Sequence, residues 1–126
     1  MNRKYKTCML IDDDQLDNFI NSKLIKMNHF AEKVVVSEDA NTALKLLRSG
    51  EIKPDIIFLD IRMPIMDGFE FLDEYDKLSI DKKNTDIVVL STSLNPADIN
   101  RAEKNKYVKN YFTKSLTPEI LMRLAS

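Results

Sequence analysis

The chain has 126 residues, one cysteine and two glycines, and its 19 Lys and Arg nearly balance its 20 Asp and Glu. This length suits one domain with a sizeable core, and the balanced charge argues against a dedicated nucleic-acid binder, which is usually basic. The composition also excludes an internal disulfide, a glycine-rich phosphate loop and a dinucleotide-binding motif.

The first half of the chain alternates β-rich runs with helical periodicity. Near-continuous apolar runs predict strands that are covered on both faces, and apolar residues three or four positions apart predict helices. The first helix is predicted from Leu16, Phe19, Ile20, Leu24 and Met27. In chain order we predict a strand at 5–11, a helix at about 15–30, a strand at 33–38, a helix at 41–50 and a strand at 54–60.

The second half continues the same alternation. Asn-Pro and Thr-Pro pairs are typical of helix starts, and they occur at Asn95 and Thr117. The fourth helix has a thin apolar face, mainly Ile99 and Ala102, so we expect it to be the most mobile. In chain order we predict a helix at 67–79, a strand at 87–93, a helix at 95–106, a strand at 108–114 and a helix at 117–125.

Strands that alternate with short helices indicate an α/β fold, with right-handed crossovers and a parallel sheet covered by helices on both faces. The predicted elements fill the chain, so we expect a single domain over residues 1–126 with no output domain. The apolar stretch near the N-terminus is too short for a signal peptide or a membrane span, and we therefore expect a cytoplasmic protein. In such open sheets the ligand site lies beyond the carboxyl ends of the strands.

Chemically distinctive side chains follow four of the predicted strands. They are Asp12, Asp13 and Asp14 after the first strand, Asp60 after the third, Ser91 and Thr92 after the fourth, and Lys114 after the fifth. Clustered carboxylates raise one another's pKa unless a cation neutralises them, and Mg²⁺ prefers oxygen ligands of this kind. A lysine can then hold an anion, which points to phosphoryl transfer onto a carboxylate. Taken alone, the acidic run could equally cap a helix.

Four motifs carry a family resemblance over essentially the whole chain. They are "LIDDD" with Asp12 and Asp13, "IIFLDIRMPIMDG" with Asp60, "VVLSTS" with Ser91, and "YFTK" with Tyr111 and Lys114. In this order the chain resembles a response-regulator receiver domain, the phospho-acceptor module of two-component signalling. The resemblance implies a CheY-like, five-stranded parallel sheet in the order 2-1-3-4-5.

The resemblance also implies roles for individual residues. Asp60 would accept the phosphoryl group, and Asp13, Asp60 and the backbone carbonyl of Arg62 would bind Mg²⁺. Asp12 would act through water, whereas Asp14 better fits a helix start. Lys114 and Ser91 would contact the phosphoryl group, and Ser91, Thr92 and Tyr111 would form the switch. Arg62 and Ser93 would influence the phosphoryl lifetime.

The partners implied are a histidine kinase or histidine phosphotransfer protein and an unknown downstream protein. We expect no direct contact with nucleic acid or membrane, and a monomer or a dimer promoted by phosphorylation. No enzymatic activity is expected beyond self-phosphorylation and slow dephosphorylation. The alternative is a Mg²⁺-dependent aspartyl-phosphate phosphatase or phosphotransferase acting on a small molecule, although Arg62 stands where such enzymes usually carry a second acid.

The chain departs from the family pattern after the lysine. The family usually has proline there, often after a cis bond, and this chain has Ser115. Because a cis bond before a non-proline residue costs about 2.5–4 kcal/mol, we expect a trans bond. Ser91 replaces the usual threonine and keeps the hydroxyl.

Overall fold

Five strands alternate with five helices in the structure, a computed structural model that describes residues 5–126. The strands are β1 (Tyr5–Ile11), β2 (Ala31–Ser37), β3 (Ile56–Leu59), β4 (Asp86–Ser91) and β5 (Val108–Thr113). The helices are α1 (Gln15–Met27), α2 (Ala40–Ser49), α3 (Gly68–Asp76), α4 (Pro96–Glu103) and α5 (Pro118–Ala125). Residues 1–4 of the predicted domain lie outside the described part.

The strands form one parallel sheet in the order β2-β1-β3-β4-β5, as the sequence predicts. Strand order reverses between β1 and β3, whose ends are paired through Ile11 and Leu59. Residues that follow these two strands therefore emerge side by side at one edge of the sheet. This switch in strand order is where open parallel sheets bind their ligands.

Buried side chains form two clusters because successive strand residues point to opposite faces of the sheet. Met9 and Ile11 belong to the cluster that includes α2, α3 and the buried Ala102 of α4. Cys8 and Leu10 belong to the cluster that includes α1 and α5. Helices therefore cover both faces, and the predicted fold class is confirmed.

Side-chain caps explain where the helices begin. Asp14 accepts hydrogen bonds from the backbone nitrogens of Leu16 and Asp17 at 3.0 and 3.1 Å, so it caps α1 as expected. Asp39, Asn95 and Thr117 cap α2, α4 and α5 in the same way, and Asp67 caps α3 in a reciprocal pair with Glu70. These polar residues stop each helix from extending back into the preceding strand.

Helix α1 is present, but of the five apolar residues that predicted it only Leu24 packs against the core. Leu16, Phe19 and Ile20 are all more than half exposed, with 65%, 59% and 51% of their surface accessible. The buried residues of this helix are Asn18, Asn21 and Ile25. The amide of Asn18 donates to the backbone oxygen of Asp12 at 2.8 Å, so the polar end of the strand selects a polar helix face.

Several predicted boundaries are too wide. Strand β4 ends at Ser91 instead of continuing to 93, because the chain turns there and the Ser93 amide donates to the Ser91 hydroxyl oxygen at 3.2 Å. Helix α1 ends at Met27 because Asn28 caps it and His29 takes a positive φ of 53°. The pattern of apolar residues does not predict these two hydrogen-bonded turns, so it places the ends of both elements too late.

Candidate functional site

Three carboxylates meet where β1 and β3 end. Asp12 and Asp13 follow β1 directly, and Asp60 follows β3. One carboxylate oxygen from each lies within 4.8 Å of the others, with Asp12 and Asp60 buried and Asp13 exposed. Oxygen atoms of this number and type suit a hard divalent cation that keeps some of its water. The structure thus brings together the three acids that the sequence singled out, in a group that could hold a metal ion.

Backbone hydrogen bonds fix the two buried carboxylates. Asp12 Oδ1 accepts from the amide of Asp14 at 2.9 Å, and Asp60 Oδ1 accepts from the amide of Arg62 at 3.2 Å. The backbone nitrogen of Asp60 in turn donates to the Ile11 oxygen at 3.0 Å. Because the Oδ1 atoms are occupied in this way, the Oδ2 atoms of both residues face the ammonium group of Lys114.

Lys114 joins the acidic cluster from β5. Its Nζ lies 2.6 Å from Asp12 Oδ2, 2.9 Å from Asp17 Oδ2 and 3.8 Å from Asp60 Oδ2. The sequence interpretation did not include Asp17. Asp17 lies in the first turn of α1, where acids are common, so its residue type carried no signal.

The charges in the cluster perturb one another. Burial raises the pKa of Asp60 to about 6, and the charges of Asp12 and Asp13 add to the rise, whereas the Arg62 amide and Lys114 oppose it. Burial alone would lower the pKa of Lys114, but its hydrogen bonds to Asp12 and Asp17 raise the pKa above its ordinary value. At neutral pH the site therefore holds a charged lysine beside a buried Asp60 carboxylate. A bound cation or a proton would lower the free-energy cost of that buried negative charge.

Ser91 lies at the end of β4 with its side chain fully buried. Its hydroxyl oxygen accepts from the Ser93 amide at 3.2 Å, and its backbone oxygen accepts from the Lys114 amide at 2.8 Å. The second bond ties the end of β4 to the lysine. In the described contacts the Ser91 hydroxyl bonds to Ser93 and not to Asp60, and the neighbouring Thr92 is exposed to solvent.

The segment after Ser91 also holds Tyr111 of β5. The Tyr111 hydroxyl donates to the backbone oxygen of Ser93 at 2.7 Å, and its half-buried ring packs against the core on the α2 and α3 face. The predicted switch residues Ser91 and Tyr111 are thus linked through Ser93. The motion that the sequence interpretation assigns to this pair stays a prediction.

Arg62 and Ser93, the two residues expected to affect the phosphoryl lifetime, meet at a third residue. The Arg62 guanidinium forms an ion pair with Asp98 of α4, and the Ser93 hydroxyl donates to Asp98 Oδ2 at 2.6 Å. The sequence interpretation missed Asp98. An acid in the first turn of a helix is common, so its residue type carried no signal.

Gly68 brings the start of α3 against the backbone of Asp60 and Ile61. A Cβ atom at this position would lie 2.6 Å from Ile61 Cα and 2.8 Å from the backbone oxygen of Asp60. The Gly68 amide also donates to the Ile61 oxygen at 3.1 Å. Only a residue without a side chain allows this approach, so Gly68 helps to hold Asp60 in place.

The peptide bond between Lys114 and Ser115 is cis. The predicted trans bond is therefore wrong. That prediction used the preference of an isolated peptide bond, which the surrounding fold can override.

Known proteins match both the sequence and the fold. Response regulator Rcp1 of Synechocystis sp. is 30% identical over 124 residues, which cover 94% of this chain and 83% of Rcp1. The nitrate/nitrite response regulator NarL of Escherichia coli is 32% identical over 122 residues, covering 97% of this chain and 54% of NarL. The chain thus spans most of Rcp1 but about half of NarL.

Solved structures agree. A two-component response regulator from Cytophaga hutchinsonii superposes with a TM-score of 0.87 at 36% identity, covering 97% of this chain and 95% of that one. The Mn²⁺-bound form of Rcp1 superposes with a TM-score of 0.77 at 26% identity, covering 95% and 88% of the two chains.

Strand order and structural neighbours together define a CheY-like α/β domain. The response regulator receiver domain family matches residues 8–126, and the chain belongs to this family of two-component systems. Within residues 5–126, no helix is both long and apolar enough to cross a membrane.

Proposed function

We propose that this domain accepts a phosphoryl group on Asp60 from a phosphohistidine donor, either a histidine kinase or a histidine phosphotransfer protein. The observation that carries the proposal is the position of the Lys114 ammonium, within 3.8 Å of both Asp12 and Asp60 at the edge of the three-acid cluster. A buried acceptor beside a fixed cation is what phosphoryl transfer to a carboxylate requires, because the reaction delivers negative charge to that point.

Mg²⁺ is the cofactor that the donor set fits. Asp13 and Asp60 would bind it directly with the backbone carbonyl of Arg62, and Asp12 would act through water. Carboxylate and carbonyl oxygens are its preferred protein ligands, and it commonly retains water and phosphate positions. The Mn²⁺-bound form of Rcp1 supports a divalent cation in a relative. When bound, the metal neutralises charge on the transferred phosphoryl oxygens.

The chemical step uses the side chains already described. A carboxylate oxygen of Asp60 attacks phosphorus while the bond from phosphorus to the donor histidine nitrogen breaks, and that nitrogen keeps the bonding pair. The products are an aspartyl phosphate and an unphosphorylated donor. Lys114 stabilises one phosphoryl oxygen by charge, and the Ser91 hydroxyl donates to another, since its contact with the Ser93 amide uses only its oxygen as acceptor.

Phosphorylation then acts as a switch. Two charge-assisted hydrogen bonds, from Lys114 and Ser91, contribute about 3–6 kcal/mol together. Reversing a population from 1:99 to 99:1 requires about 5.5 kcal/mol, so the upper part of this range suffices provided that both contacts are absent from the unphosphorylated state. As Ser91 moves towards the phosphate, Tyr111 follows into the vacated space, and α4, β5 and α5 present an altered surface to a downstream protein. The switch would also promote a dimer if this surface pairs with a second copy.

A donor protein must reach Asp60 past the start of α1. The exposed side chains of Leu16, Phe19 and Ile20 lie on this helix, whose Asp17 contacts Lys114. An apolar patch beside the site supports contact with a protein donor, since single small-molecule donors need no such surface. No observation favours the alternative phosphatase, because Arg62 supplies no second acid two residues after Asp60.

The experiment is intact-mass analysis after incubation with Mg²⁺ and phosphoramidate. We expect one added phosphate on the wild type and none on Asp60→Asn. Asp73→Asn, which changes an exposed carboxylate of α3, is the matched control and should label like the wild type. Omitting Mg²⁺ should abolish labelling. An unlabelled wild type at every Mg²⁺ and donor concentration would contradict the proposal.

A further inference from the structure

Asp98 is more buried and has more contacts than its place at the start of a helix predicts. Acids in the first turn of a helix are usually solvated and interact favourably with the helix dipole. The Asp98 side chain is only 15% exposed, and a single oxygen atom, Oδ2, receives both the Arg62 guanidinium and the Ser93 hydroxyl. One carboxylate of α4 therefore joins two segments that reach it from different strands.

Both segments lead to the proposed chemistry. The Arg62 amide donates to Asp60 Oδ1 at 3.2 Å, and the Ser93 amide donates to the Ser91 hydroxyl oxygen at 3.2 Å. Asp98 is therefore one residue removed from the acceptor on one side and from the switch hydroxyl on the other. The described contacts form a continuous path from Asp60 to the first turn of α4.

We propose that Asp98 is a positioning residue that tethers Arg62 in the unphosphorylated chain, and that a phosphoryl group on Asp60 takes Arg62 away from it. This inference rests on the proposed function. A phosphoryl group carries up to about two negative charges and three acceptor oxygens, against one charge on Asp98. Guanidinium groups bind phosphate oxygens in paired hydrogen bonds, which favours the exchange.

The exposure of the two partners makes this exchange feasible. The Arg62 side chain is 60% exposed, so it can reorient with little loss of packing, whereas Asp98 stays at the base of α4. After the exchange, Arg62 covers the phosphoryl group and hinders the approach of water. Asp98 then keeps only its hydrogen bond from Ser93, so the start of α4 is no longer linked through Arg62 to the residues around Asp60. Loss of the ion pair between Arg62 and Asp98 is then the change that couples phosphorylation to α4.

The test is a double-mutant cycle with Asp98→Asn, Arg62→Ala and their combination. Asparagine can still accept from Ser93 but no longer pairs with the guanidinium. In the Arg62 protein we expect Asp98→Asn to slow phosphoryl loss by about two- to fivefold, because Arg62 is free to cover the phosphate. In the Arg62→Ala background it should have no effect, and Asp98→Glu should restore the wild-type rate.

A second readout follows the tether without phosphorylation. In urea unfolding of the unphosphorylated protein, Asp98→Asn should lower the midpoint more when Arg62 is present than in Arg62→Ala, where only the favourable interaction with the helix dipole is lost. Glu119→Gln, which changes an acid in the first turn of α5, is the matched control. It should leave phosphoryl loss unchanged and lower the midpoint only by the loss of the helix-dipole interaction, to the same extent with and without Arg62.

Each failure has a distinct meaning. An equal effect of Asp98→Asn on phosphoryl loss in both backgrounds would overturn the exchange, because Asp98 would then act without Arg62. A urea midpoint with no coupling between the two residues would overturn the tether. Failure of the wild type to take up phosphate would overturn the proposed function and the exchange with it, while the unfolding cycle would still report on the tether.

Discussion

The ammonium nitrogen of Lys114 lies 2.6 Å from Asp12 Oδ2, although the two residues are 102 positions apart in the sequence. Both side chains are about nine-tenths buried, so this ion pair forms the buried side of the acidic cluster. The geometry makes Lys114 the counter-charge of this carboxylate cluster.

Lys114→Met should destabilise the fold by about 1–3 kcal/mol in the absence of divalent cations. Breaking a fully buried ion pair costs about 3–5 kcal/mol, and here a proton on Asp60 recovers part of that loss. Mg²⁺ should therefore stabilise this variant more than it stabilises the wild type, as measured by urea unfolding.

The matched control for that experiment is Lys109→Met, which removes a surface ion pair with Asp86. Such pairs are worth about 1 kcal/mol or less, and this variant should respond to Mg²⁺ like the wild type. An equal response of both lysine variants would contradict the role of Lys114 as counter-charge.

Asp17→Asn should raise the extent of phosphorylation by small-molecule donors about two- to fivefold. Asp17 holds the Lys114 ammonium at 2.9 Å and competes with the incoming phosphoryl group for its charge. Its side chain is 34% exposed, so the effect corresponds to about 1 kcal/mol or less. Intact mass at a fixed donor concentration measures it, with Asp73→Asn as control. Reduced labelling would mean that Asp17 supports the transfer instead of competing with it.

Asp60→Asn should stabilise the Mg²⁺-free protein at neutral pH. The folded pKa of Asp60 is about 6 against an ordinary value of 3.8, so between these values the folded state keeps a proton that the unfolded state has released. The stability that this residue contributes is therefore complete below about pH 4 and is lost as the pH rises through 6. Asparagine cannot ionise and avoids this loss.

We expect the variant to exceed the wild type by about 1–2 kcal/mol at pH 7 and to match it near pH 4, in urea unfolding at both values. Asp73→Asn, which changes an exposed carboxylate of α3, is the control variant measured at both pH values. The same stability difference at both pH values would show that ionisation of Asp60 is not its cause.

Gly68→Ala should damage both the fold and the site. The added Cβ would meet the backbone of Ile61 and Asp60 at 2.6 and 2.8 Å, which forces these two residues to move. We expect a loss of about 1–3 kcal/mol in unfolding free energy and weaker Mg²⁺ binding.

Gly50→Ala is the informative comparison for that variant. Gly50 ends α2 with a φ of 78° and has open space around its Cβ position. Alanine there should cost about 1 kcal/mol of stability through backbone strain and leave Mg²⁺ affinity unchanged. If Mg²⁺ binding weakened in both glycine variants, the close contact between Gly68 and Asp60 would not be the cause of the weaker binding.

Local patterns predict most of the fold. Alternating apolar runs, the Asn95 and Thr117 caps and the Gly50 terminus each depend on a few neighbouring residues, and all of these are confirmed. The buried face of α1 was not predictable in this way. Asn18 is buried because it bonds to the backbone of Asp12, and apolar spacing contains no information about that partner.

The residues of the candidate site likewise fall into those that the sequence predicts and those that it does not. Asp12, Asp13, Asp60 and Lys114 follow strands whose order is set by the fold class, so their convergence could be predicted. Asp17 and Asp98 could not be assigned, because their partners Lys114 and Arg62 lie on distant elements and ordinary helix-start acids look the same. The cis bond after Lys114 likewise depends on the surrounding fold.

The central claim is that Asp60 itself becomes phosphorylated, and loss of labelling in Asp60→Asn alone does not locate the phosphate. Borohydride reduction does, because it converts an aspartyl phosphate to homoserine at the modified position. Tandem mass spectrometry of the peptide that contains residue 60, after labelling with Mg²⁺ and phosphoramidate, should find homoserine in place of Asp60. Homoserine at Asp12 or Asp13, or at none of the three positions in a labelled protein, would contradict the account.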